Sequence, residues 1–260
     1  MDVHKEWKNP FGKGPIFLAV IHVLDEEQAV RNAKIANESG CHGIWLICHK
    51  VMGISSNDLL KKAYKAVRDE FPLYWIGVNV LSFIHRPTEV FGWVEENCKG
   101  CNGIWLDNAF AFSVPVMERI KESRDESGWN GLYFGGVAFK YQDPVHPLQD
   151  ADDIPPIAQQ ALKRICKQAN EFIDVITTSG LKTGKLPSFS KISCMHSISC
   201  PLAISGCGLD VKLYKDIGDI FFCATDISKE CTEHGYIDKC NSSFCELDPK
   251  KVEAWVNSCQ

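Results

Sequence analysis

The apolar residues of this 260-residue chain fall into eight short runs, separated by longer stretches of mixed polarity. Short apolar runs with little alternation are typical of strands that are buried on both faces. Residues 44–47 (IWLI) form one such run. The predicted strands are 16–22, 43–48, 74–80, 103–107, 132–139, 174–178, 201–205 and 219–224.

The stretches between these runs predict helices and carry suitable terminal residues. Asp25 precedes the first helix and Glu26 lies in its first turn, where the helix dipole stabilises negative charge. Gly40 follows as a C-terminal glycine, and Asp248 with Pro249 opens the last helix. The predicted helices are 25–39, 56–70, 87–97, 113–126, 155–171, 188–197, 208–216 and 248–258.

Eight alternating strands and helices predict parallel strands joined by helical crossovers. The chain length suits one complete (β/α)8 barrel, the TIM-barrel fold, which typically takes ~250 residues. No linker or low-complexity segment divides the chain. We therefore expect one α/β domain over residues 1–260, with a polar N-terminal extension at 1–14.

An internal repeat favours closure of the barrel. Residues 40–46 (GCHGIWL) recur at 100–106 (GCNGIWL). A strand-helix-strand unit takes about 30 residues or more, so the repeat marks strands that are two units apart. Alternate strands of a barrel fill the same interior layers, although an open doubly wound sheet would also allow the repeat.

The composition and the N-terminal sequence limit which partners and which cellular location we expect. Hydrophobic residues make up 45% of the chain and the net charge is −5, with no basic block, so nucleic acid is not an expected partner. The run 16–24 is too short to span a membrane, and the N-terminus lacks the features of a signal peptide. We predict a cytoplasmic protein, and a homo-oligomer is compatible with the sequence.

The thirteen cysteines are numerous, but several lie in predicted buried elements. Cys48, Cys166 and Cys223 are examples, and free cysteine behaves as a small buried hydrophobe. Cys98 and Cys101 form a C-x-x-C, but no second pair has the spacing of metal ligands. A C-terminal group matches no zinc motif: Cys231, His234, Cys240 and Cys245. We predict reduced thiols in the core, no metal and no cofactor.

Catalytic groups of such barrels lie where strands end and the next loop begins. His22, Asn79, Asp107 and Lys140 occupy such positions. Asp107 is the candidate general acid or base, since a partly dry barrel mouth shifts a carboxyl pKa; a structural hydrogen-bond acceptor is the alternative. Lys140 could stabilise a substrate oxygen or form a Schiff base, or it could pair with Asp107 or Asp174. His22 could donate a proton or be a satisfied core residue.

The last quarter of the chain predicts an anion site. Gly206 and Gly208 allow a ligand to approach backbone N–H groups just before a helix, and barrel phosphate sites often use the loops after strands 7 and 8. The alternative is a tight turn without a ligand. Residues 178–185 could close over the phosphate, and their spacing excludes a nucleotide P-loop. The candidate phosphate-binding residues are Thr178, Ser179, Gly180, Thr183, Gly184, Ser205, Gly206, Gly208, Ala224 and Thr225.

Several of these segments together resemble one protein family. They are residues 19–22 (AVIH), 77–81 (GVNVL), 139–140 (FK), 178–180 (TSG), 183–184 (TG), Pro187, 204–206 (ISG) and 219–224 (DIFFCA). From about residue 15 to the C-terminus the chain resembles the BtpA family, the SgcQ-like predicted TIM-barrel enzymes of the ribulose-phosphate-binding superfamily. The resemblance implies the barrel fold and a phosphate site, and it implies no settled reaction.

Three segments depart from that family. Residues 23–25 (VLD) replace a loop rich in proline and glycine, residues 48–50 (CHK) replace a Glu-Asn pair, and residues 224–226 (ATD) replace a glycine-serine. We expect an enzyme that acts on a small phosphorylated sugar or a related metabolite. An enzyme for phosphoribosyl or glycosyl transfer would use the same phosphate site after strands 7 and 8. The departures leave open a non-catalytic assembly or binding factor like BtpA.

Overall fold

The computed structural model describes residues 9–49, 55–111, 113–140, 155–181, 186–198, 200–229 and 245–259. Eight parallel strands pair in chain order, and β1 also pairs with β8, so the sheet closes into a barrel. The chain is therefore a (β/α)8 TIM barrel, as predicted. The strands are β1 (Ile16–His22), β2 (Gly43–Ile47), β3 (Trp75–Asn79), β4 (Gly103–Leu106), β5 (Leu132–Gly136), β6 (Val175–Ser179), β7 (Leu202–Ser205) and β8 (Ile220–Cys223).

Helices follow most of the strands. The α-helices of the described ranges are α1 (Glu26–Glu38), α2 (Ser56–Glu70), α3 (Val90–Asn97), α4 (Val114–Ser127), α5 (Pro156–Asn170), α6 (Phe189–His196) and α7 (Pro249–Asn257). Short 3-10 segments are Leu81–Phe83, Pro87–Glu89, Gly208–Leu213 and Thr225–Ile227. The predicted caps are confirmed, because Asp25 accepts a hydrogen bond from the backbone N–H of Gln28 at 2.7 Å and Asp248 caps α7 in the same way.

Two predicted boundaries are wrong. The expected α-helix at 208–216 is the 3-10 helix Gly208–Leu213, which begins on a glycine with φ +44°. The expected strand 132–139 ends at Gly136, since Ala138 adopts φ +48°, which is outside the extended region. Lys140 consequently lies four residues beyond the strand rather than directly at its end.

Aromatic side chains fill the barrel interior. The ring of Trp45 lies 5.0 Å from that of Trp75, 5.7 Å from that of Trp105 and 4.9 Å from that of Phe134. The space depends on small neighbours, because a Cβ added at Gly77 would overlap the Trp45 ring. The sequence repeat thus places a tryptophan from each of two alternate strands, β2 and β4, in one interior cluster. This cluster closes the barrel beneath the C-terminal ends of the strands.

The described cysteines serve mainly as core residues. Ten are free thiols and all of these except Cys259 are buried; Cys245 is disulfide-bonded and departs from the prediction. Cys101, of the C-x-x-C, directs its thiol to the carbonyl of Gly103 at 3.2 Å. Within the described ranges no group of three or more His, Cys, Asp or Glu side chains could hold a metal ion. Cys231, His234 and Cys240 lie outside those ranges.

No helix of the described chain is both long and apolar enough to cross a membrane.

Candidate functional site

Four predicted residues meet at the C-terminal end of the barrel. His22, Asn79 and Ser205 are the last residues of β1, β3 and β7, and Asp107 directly follows β4. Each continues the inward-facing alternation of its strand, as His22 does after Leu18 and Val20 of the interior cluster. Parallel strands bring these ends to one mouth, which is where barrel enzymes carry their chemistry.

Asn79 and Asp107 form a hydrogen-bonded pair in this mouth. The Nδ2 of Asn79 donates to Oδ1 of Asp107 at 2.9 Å. Burial raises the pKa of Asp107, while the positive charge of Lys140 and the Asn79 hydrogen bond lower it. Asn79 is only 2% exposed, and its Oδ1 accepts no hydrogen bond from the described part of the chain. Asp107 is thus a buried carboxyl with a raised pKa, as general acid-base catalysis requires.

His22 forms a second pair, with His49 beyond the end of β2. Its Nδ1 lies 2.7 Å from Nε2 of His49, and the two rings stack with an 11° interplanar angle. Burial, followed by the neighbouring His49 and the charge of Lys140, lowers the pKa of His22 to about 3. Burial and Lys140 also lower the pKa of His49. His22 is therefore neutral at pH 7, and its ring can donate a hydrogen bond rather than a proton.

Lys140 connects the two pairs electrostatically. Its charge acts on Asp107, which follows the neighbouring strand β4, and on His22 and His49 at the ends of the more distant strands β1 and β2. Its backbone N–H donates to Oγ of Ser179 at 3.0 Å.

The alternative ion pair between Lys140 and Asp174 is wrong. Asp174 lies at the opposite, N-terminal end of β6, where its Oδ2 is 2.6 Å from Nη2 of Arg124. That oxygen also accepts the backbone N–H of Tyr133 at 2.8 Å. Asp174 thus joins α4 to the lower end of the sheet and has no place in the mouth.

Strand β6 presents different residues from those the sequence suggested. Thr177 and Ser179 share the inward face with Val175, whereas Thr178 faces the helices and donates to the carbonyl of Ala138 at 3.2 Å. Thr178 therefore lies outside the mouth, and Gly180 is buried just after the strand. The hydroxyl of Thr177 is buried and has no hydrogen-bond partner in the described chain. Strand periodicity could have identified Thr177, because it lies two residues before Ser179.

The predicted phosphate corner consists of the loops after β7 and β8. These loops are adjacent, but Asp226 adds a carboxyl to the corner. Gly206 has φ +85° and donates its N–H to the carbonyl of Phe222 at 2.9 Å. Gly208 is buried against the carboxyl of Asp226, and any Cβ there would overlap it. Burial and the neighbouring charge of Asp210 raise the pKa of Asp226.

The N–H groups at this corner already interact with a thiol. The backbone N–H groups of Gly208, Asp226 and Ile227 stabilise the thiolate form of Cys223, although burial still raises the pKa of Cys223 to about 12. Ala224 packs at the edge of the interior cluster, and Thr225 begins a 3-10 turn. Thr183 and Gly184 lie outside the described residues.

Comparison with known proteins identifies the fold. No protein-family model matches the chain, and no curated protein sequence matches it. Similar solved structures include native KDPGal aldolase, with 11% identity and a TM-score of 0.57 over 97% of this chain and 95% of that one. The tryptophan synthase α-subunit of Pyrococcus furiosus (E131 mutant) shares 15% identity, with a TM-score of 0.56 over 94% and 97%. Orotidine 5'-monophosphate decarboxylase from Methanocaldococcus jannaschii shares 11%, with a TM-score of 0.54 over 94% and 99%.

At this level of identity the likeness shows the TIM-barrel fold. Membership of the BtpA family stays a prediction, since no family model matches.

Proposed function

We propose that this protein is a TIM-barrel enzyme that acts on a small phosphorylated sugar or a related metabolite. One observation carries the proposal: the charge of Lys140 acts in one mouth on Asp107, His22 and His49. A cation, a buried carboxyl and a neutral imidazole pair in one mouth are the groups that proton transfer beside a carbonyl requires.

The roles follow from the charges of these groups. The Asp107 carboxylate takes a proton from the carbon beside a substrate carbonyl and later returns one, as in an isomerase or a lyase. Negative charge then develops on the carbonyl oxygen, where Lys140 and a neutral His22 N–H stabilise it. Asn79 holds the carboxyl through its 2.9 Å hydrogen bond and contacts the same oxygen region. A neutral histidine can take this role because its ring N–H donates a hydrogen bond that polarises the oxygen.

The phosphate of the substrate is assigned to the loops after β7 and β8. Gly206, at φ +85°, and Ser205 form the part of this corner that faces the mouth. The neighbouring folds include a decarboxylase of a nucleoside monophosphate, which supports a phosphorylated substrate by analogy of fold. The carboxyl of Asp226 beside Gly208 opposes an anion, so the phosphate is expected on the Ser205 side.

A non-catalytic binding factor is the second candidate. It is favoured by the same corner, where the N–H groups of Gly208 and Asp226 already face the Cys223 thiol and two carboxylates lie nearby. A barrel that kept its fold without binding phosphate would tolerate this arrangement. The cytoplasmic location, the homo-oligomer and the BtpA membership stay predictions from the sequence.

Thermal unfolding with phosphate ligands tests the proposal. Wild-type protein is heated with inorganic phosphate, ribose 5-phosphate or phosphoribosyl pyrophosphate, since a ligand at 100 times its Kd stabilises the fold by about 2.7 kcal/mol. We expect a rise in Tm with ribose 5-phosphate that Lys140→Ala reduces. Lys167→Ala, an exposed lysine on α5, is the matched control and keeps the full rise.

Each outcome separates the candidates. A rise with phosphoribosyl pyrophosphate alone would favour phosphoribosyl transfer. No rise with any of the three phosphates would contradict the proposal and favour the binding factor.

A further inference from the structure

Lys191 is a buried cation that the proposed reaction does not use. It lies in the first turn of α6, is 1% exposed, and its Nζ donates to the carbonyls of Ala138 at 2.5 Å and Ser179 at 2.6 Å. No carboxylate of the described chain lies within ion-pair distance of it. Burial lowers the pKa of Lys191 to about 7, even though the nearby Cys166 acts in the opposite direction. Burial of an amino group is unfavourable unless the group is hydrogen-bonded. We therefore asked what the two carbonyl contacts of Lys191 do for the structure.

The two carbonyls belong to the segments that hold Lys140. Ala138, two residues before Lys140, adopts φ +48°, a conformation that alanine rarely takes. Its carbonyl also accepts the hydroxyl of Thr178 at 3.2 Å. Ser179 receives the backbone N–H of Lys140 on its Oγ, at 3.0 Å. Lys191 therefore binds both sides of the junction between the β5 loop and the end of β6.

We propose that Lys191 is a positioning residue that bridges the carbonyls of Ala138 and Ser179 and thereby fixes residues 137–140 so that Lys140 reaches the mouth. The ammonium bridges two carbonyls that the sheet does not pair, because β5 ends at Gly136. The Lys191 amino group donates a hydrogen bond to the carbonyl of Ala138, a residue whose unusual backbone lies outside the strand. The proposal rests on the proposed function only for what Lys140 does in the mouth.

Hydrogen exchange at single amides, followed by NMR, tests the bridge without any substrate. The reporters are the N–H of Lys140, bound to Ser179, and the N–H of Val137, bound to the carbonyl of Thr177 at 2.9 Å. In Lys191→Met we expect their protection factors to fall by about tenfold or more, which is the scale of a lost charge-assisted hydrogen bond. The N–H of Val23, bound to Ile47 on the far side of the barrel, is expected to keep its protection.

Two control variants separate positioning from general destabilisation. Ile192→Val removes one buried methyl group from the same helix and is expected to lower Tm while Val137 and Lys140 keep their relative protection. Lys167→Met makes the same chemical change at an exposed site of α5 and is expected to alter neither. Unchanged protection at both reporters in Lys191→Met would overturn the proposal, and so would an equal loss in Ile192→Val.

If Lys191→Met does not fold, Lys191→Gln replaces it. Its amide keeps one donor group for the buried carbonyls, but the side chain is one bond shorter and cannot bridge both. The same loss of protection at Val137 and Lys140 supports the proposal, and full protection overturns it.

Binding of ribose 5-phosphate provides the second readout. We expect Lys191→Met to lose the ligand-induced rise in Tm as Lys140→Ala does, and Ile192→Val to retain it. If the wild-type protein binds no phosphate, the proposed function fails, yet the exchange experiment still decides whether Lys191 positions residues 137–140. If exchange is unchanged while the wild type binds phosphate, only the positioning role fails.

Discussion

The side-chain amide of Asn79 donates a 2.9 Å hydrogen bond to the carboxyl of Asp107, across the ends of the neighbouring strands β3 and β4. The register explains the contact, because Asn79 pairs with Trp105, and Asp107 is the next residue on the same face of β4. The hydrogen bond favours the charged form of a carboxyl whose pKa is raised by burial. The pair therefore sets the protonation state at the centre of the mouth.

Asn79→Ala is expected to raise the pKa of Asp107 further. The substitution removes a hydrogen bond that stabilises the carboxylate, while burial continues to favour the neutral acid. A carbon-13 NMR titration of the Asp107 carboxyl measures the shift. Asn97→Ala, which removes an amide bonded to the carbonyl of Trp93 on α3, is the control and leaves the titration unchanged. A lower or unaltered pKa in Asn79→Ala would disprove this electrostatic role.

His22 is expected to make the fold sensitive to acid. Its folded pKa of about 3 lies below the usual 6.5, so between these pH values the unfolded chain binds a proton that the folded chain does not. Stability therefore falls as the pH drops below 6.5, by up to about 1.4 kcal/mol per pH unit from this group. Urea unfolding of His22→Asn from pH 4 to pH 7 should show a shallower loss. His85→Asn, at an exposed histidine, should retain the wild-type slope.

Lys191 is expected to have an effect of the same sign in a higher pH range. Its folded pKa is about 7 and its usual value is 10.5, so the unfolded chain holds the extra proton between them and stability rises with pH. From pH 7 to pH 8.5 the wild type should gain about 2 kcal/mol relative to Lys191→Met. Buried thiols such as Cys166 oppose this trend in both chains, and the difference between the chains cancels them. Parallel pH profiles from urea unfolding would refute the assignment.

Gly77→Ala is expected to destabilise the barrel, because the added Cβ overlaps the ring of Trp45 in the packed interior. Overpacking of this kind costs about 1–3 kcal/mol. Gly92→Ala is the matched control, since Gly92 is exposed in α3 with open space around it. Alanine there should stabilise the fold by about 0.5–1 kcal/mol through helix propensity. Urea unfolding measures both, and equal effects would contradict the packing role of Gly77.

Local patterns in the sequence were sufficient for the architecture. The buried runs and the capping residues Asp25 and Asp248 predicted eight strand-helix units. The repeated Gly-Ile-Trp-Leu segment predicted that alternate strands contribute side chains to the same interior layer. The buried runs and the caps depend on neighbours one to four residues apart, and the repeat can be read from the sequence by comparison, so the sequence displays all of these features directly. The ends of parallel strands then follow from the fold, which is why His22, Asn79 and Asp107 could be placed together.

The finer arrangement of the site depended on contacts between distant segments. The unusual backbone of Ala138 ended β5 early, and its carbonyl binds Thr178 and Lys191, which are distant along the chain. The carboxyl of Asp226 lies on Gly208 only because the loops after β7 and β8 are adjacent.

What the sequence by itself determined was the order and type of the elements, because periodic burial along one segment encodes them. The tertiary structure alone decided which charges meet. Lys191 is 53 residues from Ala138 along the chain, yet its Nζ binds that carbonyl. Lys140 likewise acts on His22 across the barrel. Electrostatic interactions depend on distance in space, and only closure of the barrel fixes that distance.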